Sequence, residues 1–332
     1  MKNEALETHL VRRADLWAVP KATPKQEVYA DQDERFWQAN GVQKPTGCRS
    51  EVDSCLEEIQ VLDGNEYVQP ADSNDLLTGE VLEINFESNA LESDTLGLVI
   101  AQRQSLLTTF LFYQALDYMG SDVGNWFARL ERTAAMYEGN SFLGKLRGIK
   151  VQGYSMGQQR WKTIGTIRER GPLASDVQVV RVPGNVKTDQ FRLKMIRGNY
   201  RIDYVALTGL GKQVEPLKMS PASILYKGER DTAALLSLTD STRTLTTLPG
   251  DVYRLQYKLP NTKDYAFFLN SKGYYLEWMR PQWLRESKPG KLTELIFNPD
   301  KTLEDLAPKY KKIEQKMRKL FWQSRYATPS YQ

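Results

Sequence analysis

A single histidine, His9, stands among 332 residues, and the cysteines number two, Cys48 and Cys55. Zinc and iron sites draw on several His or Cys ligands, so this chain has no such set to assemble. No apolar run reaches the roughly 20 residues needed to cross a bilayer. The longest lies inside residues 103–120, RQSLLTTFLFYQALDYMG, where about 14 consecutive positions are almost all apolar or aromatic. A helix hydrophobic on every side must be buried, so this stretch is expected to be an internal helix wrapped by the protein's own sheets. Excess charge is scarce too. Lys and Arg number 45 against 41 Asp and Glu, for a net charge of +4, and residues 301–325 alone hold eight basic against three acidic side chains. One local basic helix is not the broad basic face that nucleic acid requires, so no nucleic-acid partner is expected. The first ten residues, MKNEALETHL, lack the apolar core of a signal peptide. Because residues 2–19 read like strands already under way, Met1 is expected not to be the native start, with an export signal carried by a longer parent.

Cys48 and Cys55 sit in a polar stretch and could close a small disulfide, which would suit an oxidising compartment; two free thiols is the other reading. Their spacing fits neither a zinc knuckle nor a redox pair. The turn DSND at residues 72–75 offers oxygen ligands for a structural calcium ion. Without a central Gly or a distal Glu it reads as a solvated turn.

Residues 1–79 show little periodicity and are expected to form an irregular arm with edge strands. From residue 80 the pattern turns regular. Leu82, Ile84 and Phe86 alternate with Glu83, Asn85 and Glu87, and Leu96, Leu98 and Ile100 repeat the pattern, as half-buried strands do. After the apolar helix, Ser121 is expected to cap a second one in which Val123, Trp126, Phe127, Leu130, Ala134 and Tyr137 share a face and Gly139 with Asn140 ends the run. This helical pair, residues 104–142, is read as an insertion between strands. Five short strands follow, over 146–154, 160–168, 176–182, 190–196 and 200–207, with Gly, Pro or Asn between them. Such spacing argues for an antiparallel sandwich or barrel.

Beyond residue 212 a smaller region begins. Tyr253, Leu255, Tyr257 and Leu259 alternate with polar residues, and residues 264–269 and 274–279 are predicted to form a hairpin about the turn NSKG at 270–273. The last element is predicted as a helix over 308–323, with Pro308 in its first turn and Leu303, Leu306, Tyr310, Ile313, Met317 and Leu320 along one seam. Lys309, Lys311, Lys312, Lys316, Arg318 and Lys319 would face water, available to an acidic partner or an anionic membrane surface.

The runs GIKVQGY, RWKTIGTI, VQVVRVPG and FRLKMIRGNYRIDYVAL resemble the later strands of the galactose-binding-like jelly roll of discoidin domains and carbohydrate-binding modules. The resemblance spans residues 80–211 and rests on structural positions: Trp161, Ile164 and Ile167 on a middle strand, Ile202 and Val205 on a closing one. It implies a β-sandwich whose ligands sit in loops at one end, and the helical insertion departs from it.

GYSMG at 153–157 matches the nucleophile elbow of serine hydrolases, which needs a helix after the serine and a later histidine. A strand follows instead, and His9 lies far upstream, so a hairpin turn is expected there. Glycoside hydrolysis by paired carboxylates stays open as the alternative function, with Asp203 and Glu277 in aromatic strand contexts. The reading favoured by the sequence is a mainly β protein with helical insertions: an antiparallel jelly-roll sandwich over 80–211 and a strand-plus-helix region over 212–332. It would work outside the cytoplasm, without cofactor, as a non-catalytic binding or scaffold module for a glycan or protein. Tyr154, Trp161, Tyr200 and Trp278 are the expected ligand-facing aromatics.

Overall fold

A computed structural model describes residues 1–88, 91, 93–137, 142–146, 148–168, 170–259 and 264–324. The chain is mainly antiparallel β with helical insertions. The strands are β1 (Glu7–Pro20), β2 (Val28–Ala30), β3 (Phe36–Gln43), β4 (Gly47–Arg49), β5 (Gly79–Asn85), β6 (Leu96–Gln104), β7 (Ile149–Ser155), β8 (Arg160–Ile167) and β9 (Asp176–Val182). They continue with β10 (Val186–Ile196), β11 (Tyr200–Val214), β12 (Leu217–Met219), β13 (Ser223–Tyr226), β14 (Glu229–Arg230), β15 (Leu245–Thr247), β16 (Tyr253–Gln256) and β17 (Tyr265–Glu277). The helices are α1 (Leu56–Ile59), α2 (Leu107–Met119), α3 (Val123–Tyr137), α4 (Phe142–Leu146), α5 (Thr232–Thr239), α6 (Pro289–Phe297) and α7 (Pro299–Ser324). Contacts group the chain into two compact units, one of Met1–Asn40 with Gly211–Arg280 and one of Gly41–Leu210 with Pro281–Gln332. These boundaries differ from the three consecutive regions 1–79, 80–211 and 212–332 that the sequence suggests.

The larger unit holds the sandwich. One layer is a five-stranded antiparallel sheet in the order β4-β5-β10-β7-β8. The other pairs β6 with β9 and with the first half of β11, both antiparallel. Period-two alternation makes both layers amphipathic. Leu82, Ile84, Phe191, Leu193, Ile149 and Val151 point inward from the first layer; Leu98, Ile100, Val180, Ile202, Val205 and Leu207 meet them from the second in one core. The predicted strand over 176–182 coincides with β9, and the others shift at their ends by a few residues apart from β11, which runs on to Val214.

Helices α2 to α4 interrupt the sandwich between β6 and β7, as the apolar run and the insertion reading anticipate. Helix α2 buries Leu107, Phe110, Leu111, Ala115, Leu116 and Met119. Part of its cover comes from α7 and from the segment before α6 rather than from sheet: the Phe110 and Tyr310 rings lie 5.0 Å apart, the Tyr113 and Trp283 rings likewise 5.0 Å apart, and Lys288 pairs with Asp117 at 3.0 Å. Gly120 ends α2 at φ 57°, where a Cβ would meet Ser287 backbone at 2.8 Å. Ser121 is not a cap; it lies within a short 3-10 turn, Gly120–Asp122, leading directly into α3. On α3, Phe127 is exposed while Val123 and Trp126 are half-buried, so the expected face is not wholly covered. The side chains of Leu130, Ala134 and Tyr137, and the stop at Gly139 and Asn140, lie outside the described residues.

The C-terminal helix starts earlier than predicted. Pro299 opens α7 and Pro308 falls inside it. Both prolines carry the same first-turn signal, and the burial of Thr302, Leu303, Leu306 and Ala307 extends the helix upstream of the second one. Its buried stripe runs on through Tyr310 and Glu314, whereas Leu320 is exposed. The expected water-facing row is only partly so: Lys311 bonds the Ala71 carbonyl at 2.8 Å, and Arg318 is half-buried beside Arg201, Tyr310 and Glu314.

In the smaller unit β1 is not an edge strand of an irregular arm. It pairs on one side with β15 and β12 and along its whole length on the other with β17. The predicted hairpin at 270–273 is absent: β17 is one continuous strand, with Asn270 opposite Asp15 and Gly273 opposite Val11. The register shifts between Val11 and Arg13, a bulge on the β1 side. A Cβ on Gly273 would meet the Leu10 carbonyl at 2.6 Å, so the glycine serves a close strand approach rather than a turn. A second small core gathers Ala14, Ile224, Ala234, Leu238, Leu245 and Tyr253. Among the described residues no helix is long and apolar enough to cross a membrane.

Candidate functional site

Cys48 and Cys55 form a disulfide with their Cα atoms 5.1 Å apart. It closes a miniature hairpin: the Cys55 amide donates to the Cys48 carbonyl at 3.1 Å, and Arg49 bridges Ser54. At the tip, Ser50 Oγ accepts from the Val52 and Asp53 amides at 3.2 and 2.9 Å. Both cysteines are buried in the sandwich core, so the bond ties this loop to the floor beneath it. Below lies a carboxyl group. Glu80 is 5% exposed and accepts from the Tyr67 hydroxyl. Burial raises the Glu80 pKa, with the Tyr67 bond opposing that shift, and burial followed by the Glu80 contact raises that of Tyr67.

The outer face of the five-stranded sheet runs away from this loop. Strand register aligns Arg49, Glu83, Arg192, Gln152 and Thr163 in a row across all five strands. Alternation turns these side chains outward because their neighbours Leu82, Ile84, Phe191, Leu193 and Val151 point into the core. Arg192 Nε donates to Glu83 Oε1 at 3.0 Å, and Arg49 Nη2 lies 3.4 Å from Glu83 Oε2, so one carboxylate joins two guanidinium groups. The same Arg192 guanidinium lies over the Trp161 ring, 4.1 Å from its centroid. Trp161 meets Tyr154 edge-to-face with centroids 5.7 Å apart and planes at 79°, and Lys187 lies over Tyr154 at 5.4 Å. Between the disulfide loop and this row opens a basin of about 850 Å³. Arg49, Ser50, Glu51, Asp53, Glu83 and Arg192 line it.

Two of the four expected aromatics are therefore together. Tyr200 is corrected to a core residue: it is 2% exposed, its hydroxyl accepts from the Gly148 amide at 2.7 Å and faces the Leu146 carbonyl at 3.3 Å. Trp278 belongs to the other unit, is 42% exposed, and donates from Nε1 to Thr8 Oγ1 at 2.9 Å. The two carboxylates weighed for glycoside hydrolysis are each engaged locally. Asp203 accepts from the Gly64 amide at 3.0 Å and has its pKa raised by burial; Glu277 pairs with Arg280 at 3.2 Å in the other unit. Ser155 of the elbow-like motif is fully buried at the end of β7 with a turn and β8 after it, and His9 pairs with Glu7 at 2.6 Å. In the 72–75 turn, Asp72 accepts from the Asn74 and Asp75 amides at 2.8 and 3.2 Å, bonds that hold its pKa down.

Arg49, Glu83 and Arg192 escape a reading of the sequence by residue type, since charged residues at outward strand positions are commonplace. Their register across β4, β5 and β10 makes them a group, and register is not written in any one strand. The arrangement can offer guanidinium donors and carboxylate acceptors to hydroxyl or amide groups, next to an aromatic corner that accepts an apolar ring face. No family model matches the chain, and no curated protein matches it in sequence.

Proposed function

We propose that this chain is a non-catalytic binding module that works outside the cytoplasm and takes a glycan on the outer face of its five-stranded sheet. The observation carrying the reading is the cluster Tyr154, Trp161, Arg192 and Glu83 beside the disulfide-tied basin. Sugars present both hydroxyl edges and apolar ring faces. A site for them combines planar aromatics with charged hydrogen-bonding groups held in register, since charge-assisted bonds are the stronger ones. Because Trp161 and Tyr154 meet at a corner, one ring can lie flat against a sugar while the other contacts its edge. The Arg192 and Glu83 pair then reads hydroxyls alongside.

The wider resemblance to galactose-binding-like jelly rolls finds support in the five-stranded layer packed on β6, β9 and β11, and departs from the family by using a sheet face rather than end loops. An oxidising compartment is supported by the paired cysteines. Glycan-array binding of the full chain, repeated with Trp161→Ala and Arg192→Ala, tests the reading. Binding reduced at least tenfold by either change, with melting temperature kept within a few degrees, is the expected result. Silence across glycans, or binding indifferent to both changes, overturns it. For the compartment, thiol labelling of protein from its native source should find Cys48 and Cys55 unreactive until reduced; two reactive thiols would remove that support.

A further inference from the structure

We infer that two copies of this chain pair edge to edge through β17, about a two-fold axis at Ser271. Among the described residues β1 is the only partner of β17, and β15 and β12 occupy the opposite side of β1. Among the described residues no strand therefore pairs with the outer edge of β17 from Tyr265 to Leu276. Long bare edges recruit another strand unless they are short, charged or bulged. Here the one bulge lies on the β1 side, and the only charges along the strand are Lys272 and Glu277. The strand also exposes large apolar side chains on both faces: Phe267 49%, Leu269 67%, Tyr274 52%, Tyr275 53% and Leu276 56%. Three of these are aromatic, at roughly 150–250 Å² each when fully exposed, and with the two leucines, all about half exposed, they offer on the order of 500 Å² per copy. A pair then reaches about the 1,000 Å² that a specific interface needs before backbone is counted.

The occupant is argued from the strand's own order. Antiparallel pairing about Ser271 sets Phe267 opposite Tyr275, Phe268 opposite Tyr274, Ala266 opposite Leu276 and Leu269 opposite Gly273. Aromatic pairs directly across strands are favourable, and like charges there are not. In this register Lys272 faces Asn270 and Glu277 faces Tyr265, so no like charges meet. The backbone agrees. The Trp278 amide bonds the Leu6 carbonyl and the Asp264 carbonyl accepts from the Lys21 amide, so even-numbered residues turn their polar groups toward the β1 side. Odd-numbered ones, Ser271 among them, then point to the free edge, and Ser271 would exchange both hydrogen bonds with its own copy, as an isologous contact requires.

The test is solution mass of the full chain by sedimentation at tens of micromolar, with a register-specific cross-link. The expected mass is twice 38.1 kDa. Leu269→Lys and, separately, Ser271→Pro, which removes only an edge-facing amide, should each return it to 38.1 kDa with melting unchanged at low concentration. Ser271→Cys should cross-link to a covalent dimer with a bismaleimide of about 8 Å reach. Leu269→Cys should not, because its copies lie roughly 13 Å apart along the strands. A monomer at every concentration overturns the inference, as would a strand of another protein taking the edge of a monomeric chain. So would a dimer that survives Leu269→Lys and fails to cross-link at position 271.

Discussion

Glu80 carries the sharpest consequence at the scale of single residues. Its carboxyl is buried beside the Tyr67 hydroxyl, and its pKa is raised by burial. A carboxyl whose folded pKa lies above its unfolded value, about 4.3, contributes stability that is fully present below that unfolded value. The contribution is lost as pH rises through the folded pKa. Glu80→Gln keeps an acceptor for Tyr67 but cannot ionise. Its melting temperature should match that of the parent near pH 4 and exceed it by a margin that grows toward neutrality. Equal melting curves across that range would mean that Glu80 titrates as it would in water. Phe110 and Leu116 make a blunter case, at 3% and 2% exposure on α2. Either replaced by Asp buries an unpaired charge at a cost of several kcal/mol, enough to prevent soluble folding. Soluble expression with unaltered melting would place the helix at the surface.

Among the elements, α7 and β17 carry the lessons. Pro308 lacks the amide that would bond the carbonyl one turn back and interrupts the ladder of a 26-residue helix. Pro308→Ala should stabilise the chain by about 1–3 kcal/mol in urea unfolding; no gain would mean that the helix already accommodates the ring without strain. Strand β9, although its partner β6 lies beyond the helical insertion, and the all-apolar α2 were legible because the pattern within each element decides it. The start of α7 was not, since Pro299 and Pro308 both satisfy the same local rule and only packing selects between them. The NSKG stretch of β17 fails for a related reason. Gly and Asn signal turns by their freedom at the backbone, but the same Gly also permits close strand approach, and the strand that approaches is β1, more than 250 residues earlier. Within the candidate site, Tyr154 and Trp161 could be found by type, whereas Arg49, Glu83 and Arg192 emerge only once three strands are in register.

At the scale of the whole molecule the two units differ in what secures them. The larger has a two-layer core, a helical insertion and the Cys48–Cys55 bond; the smaller is organised around β1. Closing so short a loop removes unfolded-state entropy worth about 2.5 kcal/mol. Replacing both cysteines with serine should lower stability by about that amount and loosen the wall of the basin. An unchanged unfolding midpoint would show that the loop is held by Ser50 and its neighbours alone. Whether the outer face of β5, β10, β7 and β8 receives a glycan is read directly by backbone amide NMR of the full chain titrated with the glycans that an array returns. The amides of Glu83, Gln152, Tyr154, Trp161 and Arg192 should move together along one saturable curve. Shifts confined to other surfaces, or none at saturating sugar, would contradict it.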